Sequence, residues 1–227
     1  MTTVHPETVR CFLCGSENEM MVLGSTNSFG ASDLDTRPPE MKRSTMHYWV
    51  QECRYCGYTA VDLTDETTLD RSFFETNSYK SCDEISFISD LARSFYRHYL
   101  IMTAEEQTED AFHAALHAAW ACDDAKDEEN AILMREKAIE QAESLIQTEE
   151  SDWKDTVKII KADLMRRTSR FDELLKEYEP EICSDELLKK IITFELELAR
   201  RKCSKCFTVA DAEEYAESTF VWPKDEA

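Results

Sequence analysis

Cys11-Phe-Leu-Cys14-Gly15 and Cys53-Arg-Tyr-Cys56-Gly57 are two CxxC pairs, each followed by glycine, with 38 residues between the halves. Zinc takes four soft ligands in a tetrahedron, and two such pairs supply four thiolates. The turn closing each pair aims backbone N–H groups at the sulfurs, and the glycine accepts a positive φ that a side chain resists. The pattern predicts one structural Zn2+ on Cys11, Cys14, Cys53 and Cys56, in a ribbon with strands over Met46 to Glu52 and Tyr58 to Leu63. Four protein sulfurs leave no position for water or substrate, so the metal's expected role is folding and not catalysis. A redox pair or an iron–sulfur cluster is the alternative use of the same thiols. The gap exceeds the roughly 15–20 residues usual between such halves, so an extra segment is inserted in the loop.

Outward from the knuckles the composition changes. All four glycines lie within the first 57 residues, and the rest of the chain has only Pro180 and Pro223 as breakers. Residues 1–60 carry a net charge of −2 and the remainder −19. The expected organisation is a zinc-ribbon module over 1–63, a polar connector over 64–81 and an acidic helical domain over 82–227. A total charge of −21 argues against attachment to nucleic acid or an anionic membrane by bulk charge. Apolar runs are only a few residues long and the N-terminus has no hydrophobic core of a signal peptide, so neither leader nor membrane span is expected. Nine cysteines, an odd number with paired spacing, suit a reducing cytoplasm better than a disulfide framework.

The fold class read from the pattern is mainly α: the small ribbon followed by helical hairpins. Ser81-Cys-Asp-Glu84 has capping-box spacing, and Ile85, Ile88, Leu91, Ala92, Phe95, Tyr99 and Met102 recur behind it at steps of three and four. Thr103-Ala-Glu-Glu106 repeats the cap signal before an Ala-rich stretch from Ala111 to Cys122. Further helices are expected from Asp127 to about Thr148, from Ser151, from Phe171 to Ile182, and after Ser184 with Leu188, Ile192, Leu196 and Ala199 as a stripe. Short joints such as Thr168-Ser-Arg170 make successive helices antiparallel, and the spacing is similar to tetratricopeptide repeats, with a plain bundle as the alternative.

Several of these stretches together resemble a bacterial family, filed among domains of unknown function, in which a zinc ribbon leads into TPR-like helices. The likeness is carried by Cys11 and Cys14, Ser28-Phe-Gly30, Asp33-Leu-Asp-Thr-Arg-Pro-Pro39, Trp49 to Tyr58, Trp120, and Arg166-Arg167 to Phe171-Asp172. Knuckles of that family often read Cys-Pro-x-Cys, where this chain has Phe12 and Arg54. The resemblance implies zinc and a helical repeat, and no reaction.

Other constellations suggest chemistry more weakly. Asp33 and Asp35 in the inserted loop would serve a hydrolase as metal ligands or acid and base with Arg37 holding an anion, or Arg37 would simply pair with an aspartate to pin the loop on the ribbon. His113 and His117 share a helix face with Asp110 and Glu106, a second metal site or the polar side of an amphipathic helix. Cys203-Ser-Lys-Cys206 is a third CxxC, which the stripe before it makes apolar helix packing, with metal or disulfide chemistry as the alternative. Arg37, Lys42, Arg43, His47 and Arg54 interleave with Tyr48, Trp49 and Tyr55 as a local nucleic-acid contact would, but the basic residues are too few in so acidic a chain. No P-loop, dinucleotide-binding or nucleophile-elbow motif is present. The function expected is a non-enzymatic interaction or scaffold protein whose acidic groove receives a protein segment, preferably basic. A metal-dependent hydrolase or redox enzyme is the alternative, and a weakly nucleic-acid-binding ribbon the second.

Overall fold

The computed structural model describes residues 1–148, 153–179 and 185–222. The expected helix start at Ser151, the helix end at Ile182, Ser184, Cys183 and the tail from Pro223 lie outside the described residues. Two compact units divide the chain: Met1–Phe29 with Glu40–Ser144, and Gly30–Pro39 with Leu145–Ala227. These cuts fall elsewhere than at 63 and 81, because the inserted loop belongs with the later helices and the ribbon belongs with the earlier ones.

In the first unit, β1 (Thr3–Arg10) and β2 (Glu17–Ser25) pair antiparallel, with Val9 opposite Asn18. The first knuckle closes this hairpin, the Cys11 N–H donating to Ser16 O at 2.9 Å. Both strands are exposed along most of their length, so they lack the one-sided alternation that marks a strand in sequence. The second ribbon hairpin is shorter than expected. Only β3 (Gln51–Glu52) and β4 (Thr59–Ala60) pair, and Arg43–Tyr48 is a 3-10 helix, where Thr45 donates to Lys42 O and accepts from the Trp49 indole. Residues 64–81 are no slack connector: Phe73, Phe74 and Tyr79 pack on Tyr58 and Leu63, and the Tyr79 hydroxyl donates to Gly57 O at 2.6 Å. That stretch holds the short helix α1 (Asn77–Lys80).

The helix expected from Ser81 begins nine residues later, as α2 (Asp90–Ala104), capped by Ser89, whose hydroxyl accepts from Ala92 N. Ahead of it the N–H groups of Phe87 and Ile88 are taken by Ile85 O and Asp127 Oδ2, which leaves no helical ladder there. Thr103 and Ala104 end α2 instead of capping α3 (Thr108–Asp124), and Gln107 occupies the cap position. α3 buries six alanines and Cys122, so α2 packs closely on it. α4 (Glu128–Thr148) follows, with Ala131, Met134, Ala138, Ala142 and Leu145 buried at helical steps.

The second unit contains α5 (Trp153–Arg167), α6 (Phe171–Tyr178), α7 (Glu186–Arg200) and α8 (Val209–Ala216). α7 packs on α5, α6 and α8, with Phe194 at the centre of rings from Phe207, Tyr215, Phe220 and Trp222. Thr208 and Asp211 form a capping box at the start of α8. Among the described residues no helix is long and apolar enough to cross a membrane.

One turn recurs without glycine. After α2, α3, α5, α7 and α8 the residues Glu106, Lys126, Ser169, Lys202 and Ser218 take left-handed φ values of 54–63°. Each donates to the carbonyl three residues back and the next residue to the one five back, as Lys126 does to Asp123 O and Asp127 to Cys122 O. This is the Schellman arrangement, in which glycine is usual. A side chain there costs about 1–2 kcal/mol. Glycine's extra freedom in the unfolded chain gives back about 0.5–1 kcal/mol. Lys126→Gly, at an exposed position, should therefore raise stability by about 0.5–1 kcal/mol, read as a higher urea midpoint with an unchanged slope. A lower midpoint would refute this account of the turns.

Candidate metal centre

Each knuckle is built by its backbone. The Gly15 N–H donates to Cys11 O at 2.8 Å and the Gly57 N–H to Cys53 O at 2.9 Å, with φ of 72° and 74° at the glycines. The positive φ foreseen for both positions is present. Cys53 N donates to Tyr58 O, so the second turn hands the chain on to β4. The four sulfurs then converge within 4.8 Å of one another. Cys11 and Cys56 are 3.7 Å apart and Cys14 and Cys53 3.6 Å. A tetrahedron of zinc–sulfur bonds of about 2.3 Å has edges of about 3.8 Å, whereas a disulfide needs about 2.05 Å. The spacing fits a shared cation and excludes two formed disulfides. Cys11 and Cys53 are buried and the other two partly so. They belong to an apolar cluster with Val9, Tyr58, Ala60, Leu63, Phe74, Tyr79 and Ile101.

The electrostatics ask for a positive charge. Burial raises the Cys11 and Cys56 thiols, while Cys14 falls to about 6 because hydrogen bonds from Ser16 outweigh its desolvation. Four thiols in one buried cluster cannot all ionise unless a cation offsets their charge. Asn18 is the site residue that sequence reading missed. Buried, it donates from Nδ2 to Cys53 Sγ at 3.5 Å and to Ser16 O, and accepts from Arg54 N through Oδ1, linking the two knuckles. Its only signal was its place four residues after Cys14 on a strand the sequence did not disclose.

The other candidates fall elsewhere. Among the described residues the four cysteines are the only group of three or more Cys, His, Asp or Glu whose donor atoms gather closely enough for one ion. His113 and His117 sit 6.1 Å apart by ring centroids, with His117 against Trp49, Phe95 and Trp120. Burial pushes His117 down to about 3, so its ring is neutral. Its surroundings are aromatic, neither a carboxylate cluster nor a solvated helix face.

Asp33, Asp35 and Arg37 are all buried in the second unit. Asp33 N donates to Arg37 O, Asp35 Oδ1 accepts from Arg37 N at 3.2 Å, and Thr36 takes a φ of 70°. Asp35 Oδ2 accepts from Arg167 Nη1 at 3.2 Å, and Leu34 N and Val209 N bind Phe207 O and Ser32 O. The loop is a strand-like clasp on the segment before α8. Cys203 and Cys206 do not continue a helical stripe: α7 ends at Arg200, Lys202 reverses the chain, and the CxxC lies in the loop that follows. Cys203 is half-buried and Cys206 exposed. Desolvation raises the Cys206 thiol to about 12 against the pull of Arg167, although the residue as a whole is exposed.

The Cys203 and Lys205 carbonyls instead accept from Arg166 Nη1, at 2.9 and 2.7 Å. The same fully buried guanidinium donates to Glu195 and Asp163, each at 2.5 Å. Of this centre the sequence singles out only Arg166, in the family resemblance. No family model matches the chain, and neither a curated protein nor a solved structure matches it.

Proposed function

We propose that this chain is a non-enzymatic protein-interaction module, in which Cys11, Cys14, Cys53 and Cys56 hold one structural Zn2+ and the acidic helical surface receives a basic protein segment. The observation that carries the metal part is the sulfur cluster, whose 3.6–3.7 Å separations fit a zinc tetrahedron. Four thiolates complete that tetrahedron, so zinc would tie the knuckles together and leave no position for a substrate. The net charge of −21 supports steering of a basic partner. The hydrolase reading lacks such support, since Asp33 and Asp35 are buried and Asp35 is paired with Arg167. Burial of Arg37 also removes one of the five basic residues that a nucleic-acid contact required.

Native mass spectrometry of protein purified under reducing conditions tests this reading. The expected result is one zinc per chain and a basic co-purifying protein that dissociates as salt is raised. A second metal ion with no partner would point to an enzyme, and salt-insensitive binding would remove the acidic surface from the explanation.

A further inference from the structure

A cavity of about 310 Å³ opens beside the ribbon, between the end of β4, the loop after it and the junction of α2 with α3. Its lining holds four carboxylates, Asp65, Glu66, Glu105 and Asp110, together with His98 and the apolar Ala60 and Met102. No lysine or arginine lines it. The carboxylates come from three elements, so they surround the space instead of forming one patch.

His98 gives the cavity its direction. The residue is only 8% exposed, and its Nδ1 lies 3.3 Å from Thr59 O. A carbonyl oxygen accepts only, so Nδ1 carries the proton, and burial keeps the ring neutral. Nε2 is left with a lone pair and no hydrogen-bonding partner among the described residues, on a ring that lines the cavity. His98 keeps little surface, and at the cavity this acceptor takes a donor from solvent or from a ligand. Glu105 is held ready: its Oε1 accepts from Thr67 Oγ1, Thr68 N and Thr68 Oγ1.

From these features we infer that the cavity binds a primary alkylammonium group. Apart from Gln107, whose amide both donates and accepts, and Tyr58, whose hydroxyl donates to Asp65 O, the polar side chains lining the cavity accept or carry negative charge, which disfavours an anion. A bare metal ion is disfavoured because among the described residues these acids do not form a close donor cluster like that of the four cysteines. An ammonium is a compact charge with three rotatable donors, suited to acceptors spread over three elements, while a guanidinium asks for one planar carboxylate fork. Ala60 and Met102 suit the alkyl stem. On the interaction-module reading, on which this clause alone rests, the group is a lysine side chain of the basic partner; otherwise it is a free amine.

The test titrates the full-length protein with pentan-1-amine, with pentan-1-ol as a neutral match, and with Nα-acetyllysine methylamide, following heat and the His98 imidazole ¹⁵N signals. The expected result is that both ammonium compounds bind and shift Nε2 while the alcohol does neither. Glu66→Gln with Asp110→Asn, two exposed positions on the cavity rim, should weaken ammonium binding about tenfold and leave the fold intact. Equal binding of the alcohol, or unchanged affinity in the double variant, overturns the proposal. If pentan-1-amine binds and the lysine amide does not, the ammonium site stands and the lysine source fails. If a basic partner binds both proteins equally while pentan-1-amine binds neither, the site fails and the interaction module stands.

Discussion

Cys53→Ser, or a strong chelator added to the native protein, is expected to abolish far more than the ribbon. The knuckle cysteines share one apolar cluster with Ile101 of α2 and with Tyr79 and Phe74 from the segment before it. Glu52, beside Cys53, pairs with Arg97 of α2 and accepts from Ser94. Structural zinc contributes on the order of 10–16 kcal/mol in finger-sized peptides, comparable with the roughly 5–15 kcal/mol that whole domains hold in reserve. Without the cation the buried thiols repel ionisation, and the cluster they close is opened. Ellipticity at 222 nm should therefore fall by the share belonging to α2 and α3, while the α5–α8 signal survives as a second unfolding transition. Metal content, read by atomic emission, should fall with it. An unchanged spectrum and full metal content in Cys53→Ser would overturn the four-sulfur assignment. A loss confined to strand signal would mean that the ribbon folds apart from α2.

A ribbon over 1–63 set apart from the helices by a polar connector, as the sequence reads, supports instead a loss confined to the ribbon. Spacing alone located the four cysteines and both glycine turns, because metal geometry and positive φ are local demands written at fixed offsets. Helical periodicity located most helices for the same reason. The starts of α2 and α3 were misplaced where a side chain elsewhere captured the backbone donors, as Asp127 does with Ile88 N. The compact units were not legible, since nothing local says that Asp33-Leu-Asp-Thr-Arg37 clasps the segment before α8, with Asp33 paired to Thr208. The Cys203 and Cys206 pair misled because its periodic offset continued past Lys202, where a left-handed residue ends the helix with no glycine to announce it. Asn18 and His98 have no motif at all; their roles follow from what surrounds them.

Arg166→Ala is expected to cost about 3–5 kcal/mol, the usual effect of removing one member of a buried charged group. Arg166 has no exposed surface, and its donors satisfy Glu195, Asp163 and two loop carbonyls. Truncation strands two buried carboxyls and releases the loop after α7. Glu195 is the carboxyl shifted toward its protonated form. Glu195 Oε1 and Asp163 Oδ2 are buried without a donor, as expected where one of two adjacent carboxyls is protonated, and burial raises Glu195 from 4.5 to about 8 against the pull of Arg166. Because the folded state keeps this proton where the unfolded chain has lost it, the stabilisation is complete below pH 4.5 and declines as pH rises to about 8. Glu195→Gln mimics the protonated form, its amide donating to Asp163 while its carbonyl accepts from Arg166. Urea midpoints of the second transition should fall between pH 5 and 8 in the wild type and stay flat in Glu195→Gln, which becomes the more stable protein at pH 8. A midpoint in Glu195→Gln that declines in parallel with the wild type would assign the proton elsewhere, and a harmless Arg166→Ala would remove this centre from the forces that hold α5 to α7.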